Sequence, residues 1–251
     1  MICIPDHYSP AADLLRERNI LITGASAGIG AAAAKSFAAH GATVILLGRN
    51  KRRLGTVYDE IQESGGPQPV IVPLNLETAS APEFANLAQQ IGAELGHLDG
   101  ILHNAAMLGQ LSPIEHCNPA QWEKVIRTNL HAPFLLTQAC LPLLKQSPDA
   151  SIVFMSDAVG RKGRAYWGAY GVSKFGLEGL MQILADELES RNIRVNSLDP
   201  GPVLTALRKN AYPAEDSAGL KSPEAVMNEC LYLIGPDSRG ITGQSVTHSD
   251  Q

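Results

Sequence analysis

Tyr170-Gly171-Val172-Ser173-Lys174 sets a phenol and an ammonium four residues apart. On a helix that spacing puts both side chains on one face. A nearby ammonium favours the phenolate and lowers a pKa that is about 10 when unperturbed. The tyrosine could then donate a proton to a carbonyl oxygen, or accept one from an alcohol, near neutral pH. Tyr–Lys pairs at this spacing are common, so the motif draws its meaning from the rest of the chain. Far upstream runs Thr23-Gly24-Ala25-Ser26-Ala27-Gly28-Ile29-Gly30. Gly24 and Gly28 can let the backbone turn and approach a pyrophosphate. The following alanine-rich helix, 31–39, offers free N–H groups and a positive dipole end.

These groups need a scaffold that brings them together. Short apolar runs at Asn19–Thr23, Thr43–Leu47, Val70–Leu74, Gly100–His103, Ser151–Met155, Arg194–Ser197 and Gln244–Thr247 read as strands. Helical patterns near 29–40, 50–64, 81–95, 119–145, 168–190 and 222–234 separate them. Strands without polar alternation, divided by helices, indicate a parallel sheet covered on both faces. The expected fold is a single α/β, doubly wound Rossmann-type domain over residues 1–251, with about seven strands. The segment 199–221, punctuated by Pro200, Pro202 and Pro213, is too long for an idle connection and reads as a lid.

Composition narrows the function classes. A net charge of −5 with no long basic block argues against a nucleic-acid partner. No run of about 18 apolar residues suggests a membrane span. Residues Met1 to Asp6 lack the basic and apolar regions of a signal peptide, so a cytoplasmic protein is expected. Cys3, Cys117, Cys140 and Cys230 are scattered and read as reduced thiols. The histidines (His7, His40, His97, His103, His116, His131 and His248) show no ligand spacing, so no metal is expected.

The glycine spacing, G-x-x-x-G-x-G, resembles the cofactor loop of the short-chain dehydrogenases/reductases. Tyr170 and Lys174, the segment His103-Asn104-Ala105-Ala106, and Pro200-Gly201-x-x-x-Thr205 resemble further motifs of that family. Within the family the chain looks closest to one group of bacterial oxidoreductases, and the likeness runs from about Leu14 to Thr247. It implies a nicotinamide cofactor held by Gly24, Ser26, Ala27, Gly28, Ile29, Gly30, Arg49, Asn75, Leu76, Asn104, Ala105, Lys174, Pro200, Gly201, Val203 and Thr205. At the end of the second strand, where an acidic residue selects NAD, Gly48 is followed by Arg49. A guanidinium pairs with a 2′-phosphate, which predicts NADP(H). Lys51, Arg52 and Arg53 read as the solvated start of the next helix. Asn75 stands where the family usually has Asp to hold the adenine, and its amide oxygen can still accept. Ala106 replaces a family glycine close to the cofactor.

By the same resemblance Asn129 is the fourth member of the active site, helping to hold a relay water. Pro133, four residues on, removes the N–H that would otherwise bond to the Asn129 carbonyl. One departure is serious. The family's substrate-binding Ser, thirteen residues before the Tyr, is Asp157 here. An ionised carboxylate cannot donate to a carbonyl oxygen, and it disfavours a phenolate. Three outcomes are open: a protonated Asp157, Ser156 taking over, or an impaired or altered site. The catalytic set is therefore Tyr170, Lys174, Asn129 and Asp157.

The loop 160–168 passes near the pocket mouth, and Arg161, Lys162 and Arg164 could grip a substrate anion or simply be solvated. Tyr212, Pro213 and Leu220 could supply apolar substrate contacts. In the family the outer faces of the two long helices form a dimer contact, which implies a homodimer or homotetramer. The expected function is NADP(H)-dependent hydride transfer between nicotinamide and a carbonyl or alcohol of a small molecule. The alternative, kept open by Asp157, is a dinucleotide-binding sensor or structural protein.

Overall fold

The computed structural model describes Ile4 and residues 8–248; the expectations placed on Met1, Ile2, Cys3, Pro5, Asp6 and His7 lie outside these residues. Seven strands form one all-parallel sheet: β1 (Asn19–Thr23), β2 (Thr43–Gly48), β3 (Val70–Pro73), β4 (Gly100–His103), β5 (Ala150–Met155), β6 (Ile193–Asp199) and β7 (Ser245–Thr247). Their order is β3-β2-β1-β4-β5-β6-β7. The expected fold class holds. Between β1 and β4 the winding reverses, and such a switch point opens a crevice at the carboxyl ends of the strands.

Two-residue alternation divides the strands between two cores. Ile20, Ile22, Val44, Leu46, Val153 and Met155 face one side and pack against α1 (Gly28–Ala39), α2 (Lys51–Glu63) and α8 (Met227–Ile234). Leu21, Ile45, Leu47, Ile152 and Phe154 face the other. There they meet α3 (Ala81–Leu95), α5 (Ala132–Leu144) and α6 (Gly168–Glu187). Because both faces are buried, the strands lack polar alternation. Fully burying one such Leu, Ile or Phe side chain contributes about 1.5–3 kcal/mol.

Local signals set the helix ends. Ser80 and Glu83 make a reciprocal capping box at α3, with Ser80 N donating to Glu83 Oε2 at 2.9 Å. Asn50 caps α2 by accepting from Arg53 N at 3.1 Å.

Two expected elements differ. The stretch 119–145 divides into α4 (Pro119–Ile126), a π-turn over Arg127–His131, and α5. Pro133 supplies no N–H to the preceding turn, and the Ala132 N–H bonds Arg127 O instead. The segment 199–221 is not irregular throughout. It holds α7 (Ala206–Ala211) and a short turn at Ser217–Gly219, and a bridge between Val203 and Lys221 closes its base. No helix among the described residues is long and apolar enough to cross a membrane.

Candidate active site

The glycine loop leaves β1 and enters α1 at the switch point. Gly24 and Gly28 adopt φ of 69° and 55°, the left-handed region that favours glycine. A Cβ on Gly30 would lie 2.5 Å from Asn104 Nδ2 and closer still to Gly24 O. Gly30 therefore packs behind the loop, while Gly24, Ser26, Ala27, Gly28 and Ile29 line the cleft. Thr23 fastens the far wall: its Oγ1 accepts from the N–H groups of Asn104 and Ala105, each at 3.0 Å. Asn104 Nδ2 returns a bond to Thr23 O at 3.0 Å. The residue before α1, Ala27, has extended backbone and no capping side chain, so the first N–H groups of that helix face the cleft uncovered. On Gly28 a Cβ would press on Thr205 Cγ2 at 3.3 Å, so glycine keeps the gap between the loops open. These residues fit a dinucleotide.

One hollow of the cleft is lined by Gly24, Ser26, Gly48, Arg49, Asn75, Leu76 and Ala105. Arg49 is exposed at its rim. The amide oxygen of Asn75 accepts from Glu77 N at 3.2 Å, in an Asx turn. An amide oxygen accepts two hydrogen bonds, so this turn leaves room for the expected adenine contact.

The adjoining hollow gathers Ala106, Asp157, Tyr170, Lys174, Pro200, Gly201, Val203 and Thr205. One face of α6 presents Tyr170 and Lys174 there, as their spacing requires. Lys174 Nζ donates to Met155 O at 2.6 Å and lies 5.5 Å from the Tyr170 ring centre. Asn129 sits in the π-turn and is buried. Its amide clamps the loop after β4, accepting from Met107 N at 2.7 Å and donating to Met107 O at 2.9 Å. It also donates to Ser173 Oγ at 3.0 Å.

Asp157 belongs to this corner. Tyr170 OH donates to Asp157 Oδ2 at 3.1 Å, and Val159 N donates to Oδ1 at 3.0 Å. Ser156 points the other way, its Oγ donating to Glu178 Oε1 at 2.5 Å. That geometry removes Ser156 as a substitute donor, since strand alternation persists through the last residue before the turn. Of the two opposed influences expected on the tyrosine, that of Asp157 prevails over that of the ammonium. Burial first, then the charge and hydrogen bond of Asp157, and then Asp199, push Tyr170 well above the ordinary 10. Burial brings the Lys174 ammonium down to about 8, against the pull of Asp157, Asp199 and Glu178.

Of the three loop cations, Arg161 is turned away from the pocket. It pairs with Glu178 at 3.3 Å and donates to Thr247 Oγ1 and Val246 O on β7. Lys162 is exposed, and Arg164 donates to Tyr212 OH at 2.8 Å. Two residues escaped the sequence reading. Glu178, one turn beyond Lys174, collects Ser156, Ser197, Ser245 and Arg161, tying α6 to β5, β6 and β7. A carboxylate in an apolar helix face was its available signal. Arg208 lines the pocket, pairs with Glu215, and lies 3.8 Å from the Tyr212 ring centre. Only the return of α7 over the cleft reveals it. Among the described residues no group of three or more His, Cys, Asp or Glu could hold one metal ion. His103 instead stacks on Phe154 and bonds Thr137 Oγ1, and burial lowers its pKa to about 3.

The family model for the short chain dehydrogenases matches residues 18–216, which include the glycine loop, Asn129, Tyr170 and Lys174. The chain belongs to the short-chain dehydrogenase family. It is 50% identical to the uncharacterized oxidoreductase YciK of Escherichia coli K12 over 239 residues, 95% of this chain and 94% of that one. A short-chain dehydrogenase of Shigella flexneri solved in complex with NADP superposes with a TM-score of 0.92. It is 49% identical and covers 94% of this chain and 99% of its own. One from Escherichia coli CFT073, solved with NADPH, has a TM-score of 0.93 at 49% identity, over 95% and 99% of the two chains. The chain is an oxidoreductase by family, and both solved relatives hold a nicotinamide phosphate cofactor.

Proposed function

We propose that this short-chain dehydrogenase is an NADP(H)-dependent oxidoreductase that moves a hydride between nicotinamide and a carbonyl or alcohol carbon of a small substrate. The carrying observation is the convergence of Tyr170, Lys174 and Asn129 beside a glycine loop with an uncovered helix N-terminus. When bound, the cofactor supplies or takes the hydride.

The chain's own residues bind and orient. Gly24, Ser26, Ala27, Gly28 and Ile29 would cradle the pyrophosphate, with Gly30 and Asn104 keeping the loop in place. Arg49 would meet the 2′-phosphate, and Asn75, Leu76 and Ala105 would flank the adenosine. Lys174, Pro200, Gly201, Val203 and Thr205 would hold the nicotinamide end. Tyr170 is the proton-exchanging group, Lys174 tunes it, and Asn129 ties the loop after β4 to α6 beside them. The bridge between Val203 and Lys221 closes the base of the segment 199–221, which supports its reading as a lid. The two NADP(H)-bound relatives support the cofactor assignment.

Phe134 on α5 and Val172, Phe175 and Ile183 on α6 are exposed apolar residues, which supports a homodimer or homotetramer. Light scattering that gives one chain per particle would exclude it. Cys117, Cys140 and Cys230 are unpaired thiols, in keeping with a reducing, cytoplasmic setting.

A second reading, a dinucleotide-binding sensor with impaired turnover, is favoured by the Tyr170–Asp157 hydrogen bond, which occupies the phenolic proton. NADPH oxidation followed against aldehydes, ketones and imines, with Tyr170→Phe as control, separates the two. Turnover lost in Tyr170→Phe supports the enzyme; tight NADPH binding with no turnover on any substrate supports the sensor.

A further inference from the structure

Asp157 changes what the reaction corner can hold. A carbonyl oxygen gains negative charge as its carbon is reduced, so it needs hydrogen-bond donors. Here the β5 end contributes a carboxyl whose two oxygens both accept, from Tyr170 OH and Val159 N. An ionised carboxylate in this place can only accept. The hydroxyl of the preceding residue, Ser156, is held by Glu178 on the other side of the strand.

The nearby cations act on it only at a distance, each being bonded elsewhere. Lys174 Nζ donates to Met155 O, Arg161 is bound to Glu178 and β7, Arg164 to Tyr212, and Arg208 to Glu215. Asp199, at the end of the adjacent strand β6, adds a second carboxyl, accepting from Gly201 N at 2.9 Å. Among the described residues Asp157 has no ion-pair partner. Asp157 therefore carries its charge into the pocket with no cation bound directly to it, although Lys174 and Arg208 line the same hollow.

We propose that the reacting group this site favours is a protonated imine, C=N–H⁺, whose N–H donates to Asp157 as the carbon is reduced. This rests on the oxidoreductase reading above, keeps its cofactor and hydride transfer, and puts an imine in place of the carbonyl. The chemistry balances without a proton from the enzyme. The imine carbon gains a hydride from a reduced nicotinamide, which leaves oxidised. The C=N π pair withdraws onto nitrogen, and the cation becomes a neutral amine. A carboxylate beside that nitrogen lowers the energy of the cation and selects it from solution. Tyr170, whose proton is held more tightly than in an ordinary phenol, is a poor acid for a developing alkoxide. An iminium makes no such demand. Tyr170 then keeps Asp157 oriented, and Asp199 adds to the local negative field.

The test uses pyrroline, cyclopentanone and pyrrolidine with full-length wild type, Asp157→Asn and Asp157→Ser. NADPH oxidation is measured with the first two, and calorimetric binding of pyrrolidine, an ammonium ion at assay pH, to the NADP⁺-loaded protein. Asp157→Asn preserves the shape and the acceptor for Val159 N, so it reports charge without loss of the turn. Wild type is expected to prefer pyrroline to cyclopentanone. Each variant is expected to weaken pyrrolidine binding by between about tenfold and a hundredfold, the loss of one charge-assisted hydrogen bond. Asp157→Ser is expected to gain cyclopentanone reduction.

Equal pyrrolidine binding by wild type and Asp157→Asn overturns the proposal. So does a wild-type preference for cyclopentanone that Asp157→Ser lowers, which would mark Asp157 as a protonated donor. Cyclopentanone reduction by Asp157→Ser, with no pyrroline reduction by wild type, removes the imine and leaves the oxidoreductase. No NADPH oxidation by either protein on either substrate removes both.

Discussion

Tyr170 Oη lies 3.1 Å from Asp157 Oδ2, with the phenol donating. The two residues approach from opposite ends of one connection: Asp157 just after β5, Tyr170 in the first turns of α6. Lys174, on the same helix face as Tyr170, points its ammonium at Met155 O instead of at the phenol oxygen. The proton of Tyr170 is thus controlled by a carboxylate more than by the ammonium that the motif suggests.

That relationship fixes the sign of a titration. A negative charge beside a phenol disfavours the phenolate, so Asp157→Ser should lower the Tyr170 pKa. A difference ultraviolet titration of variant against wild type should show one of the six tyrosines ionising at lower pH. Superimposable curves would mean the pair is not made in solution.

Lys174 is held at about 8, below the ordinary 10.5, chiefly by burial. A lysine is charged below its pKa, so any hold it has on the cofactor weakens as pH rises through about 8. NADPH affinity, followed by nicotinamide fluorescence, should fall across that window. Lys174→Met should bind more weakly and lose that pH dependence.

Gly30→Ala introduces a Cβ against backbone and Asn104, neither of which can retreat without moving the loop. Overpacking of this kind costs about 1–3 kcal/mol. Both the melting temperature and NADPH affinity should drop, whereas alanine at Gly55, where nothing lies within 4 Å, should leave cofactor affinity unchanged.

Arg49→Asp puts a carboxylate at the rim where the guanidinium now stands. Losing one charge-assisted contact and adding repulsion should shift the NADPH/NADH ratio of kcat/KM by about tenfold to a hundredfold toward NADH. An unchanged ratio would remove Arg49 from the cofactor site.

Burial opposes ionisation of Glu178, but hydrogen bonds from Ser156, Ser245 and Ser197, with the charge of Arg161, hold its carboxyl below the ordinary 4.5. A depressed folded-state pKa contributes stability that is present above the unfolded value and lost as pH falls through the folded one. Glu178→Ala should destabilise by roughly 1–3 kcal/mol at neutral pH, by removing the shared acceptor of three hydroxyls and the ion-pair partner of Arg161. Chemical denaturation at neutral pH and near pH 3 should show the difference between variant and wild type shrinking with acid.

Much of this protein was legible in order along the chain. Apolar runs without alternation can be satisfied only by a sheet buried on both faces, so seven parallel strands followed from the sequence. Glycines between strand and helix, and a Tyr and Lys four apart, are local constraints, and local constraints survive folding. Tertiary structure decided where charges look. Arg161 was free to face the pocket until Glu178, from the next helix, and β7 claimed it. Asn75 turned its amide oxygen toward its own loop N–H as well, and α7 delivered Arg208 over the cleft. The sequence set an ammonium and a carboxylate against each other on the tyrosine, and only the fold, by burying the phenol and directing the ammonium elsewhere, decided that its pKa rises. Hydrophobic periodicity is set by residues near in sequence. The direction of a long polar side chain is set by whichever partner the fold brings within reach, and only the assembled sheet and helices specify that partner.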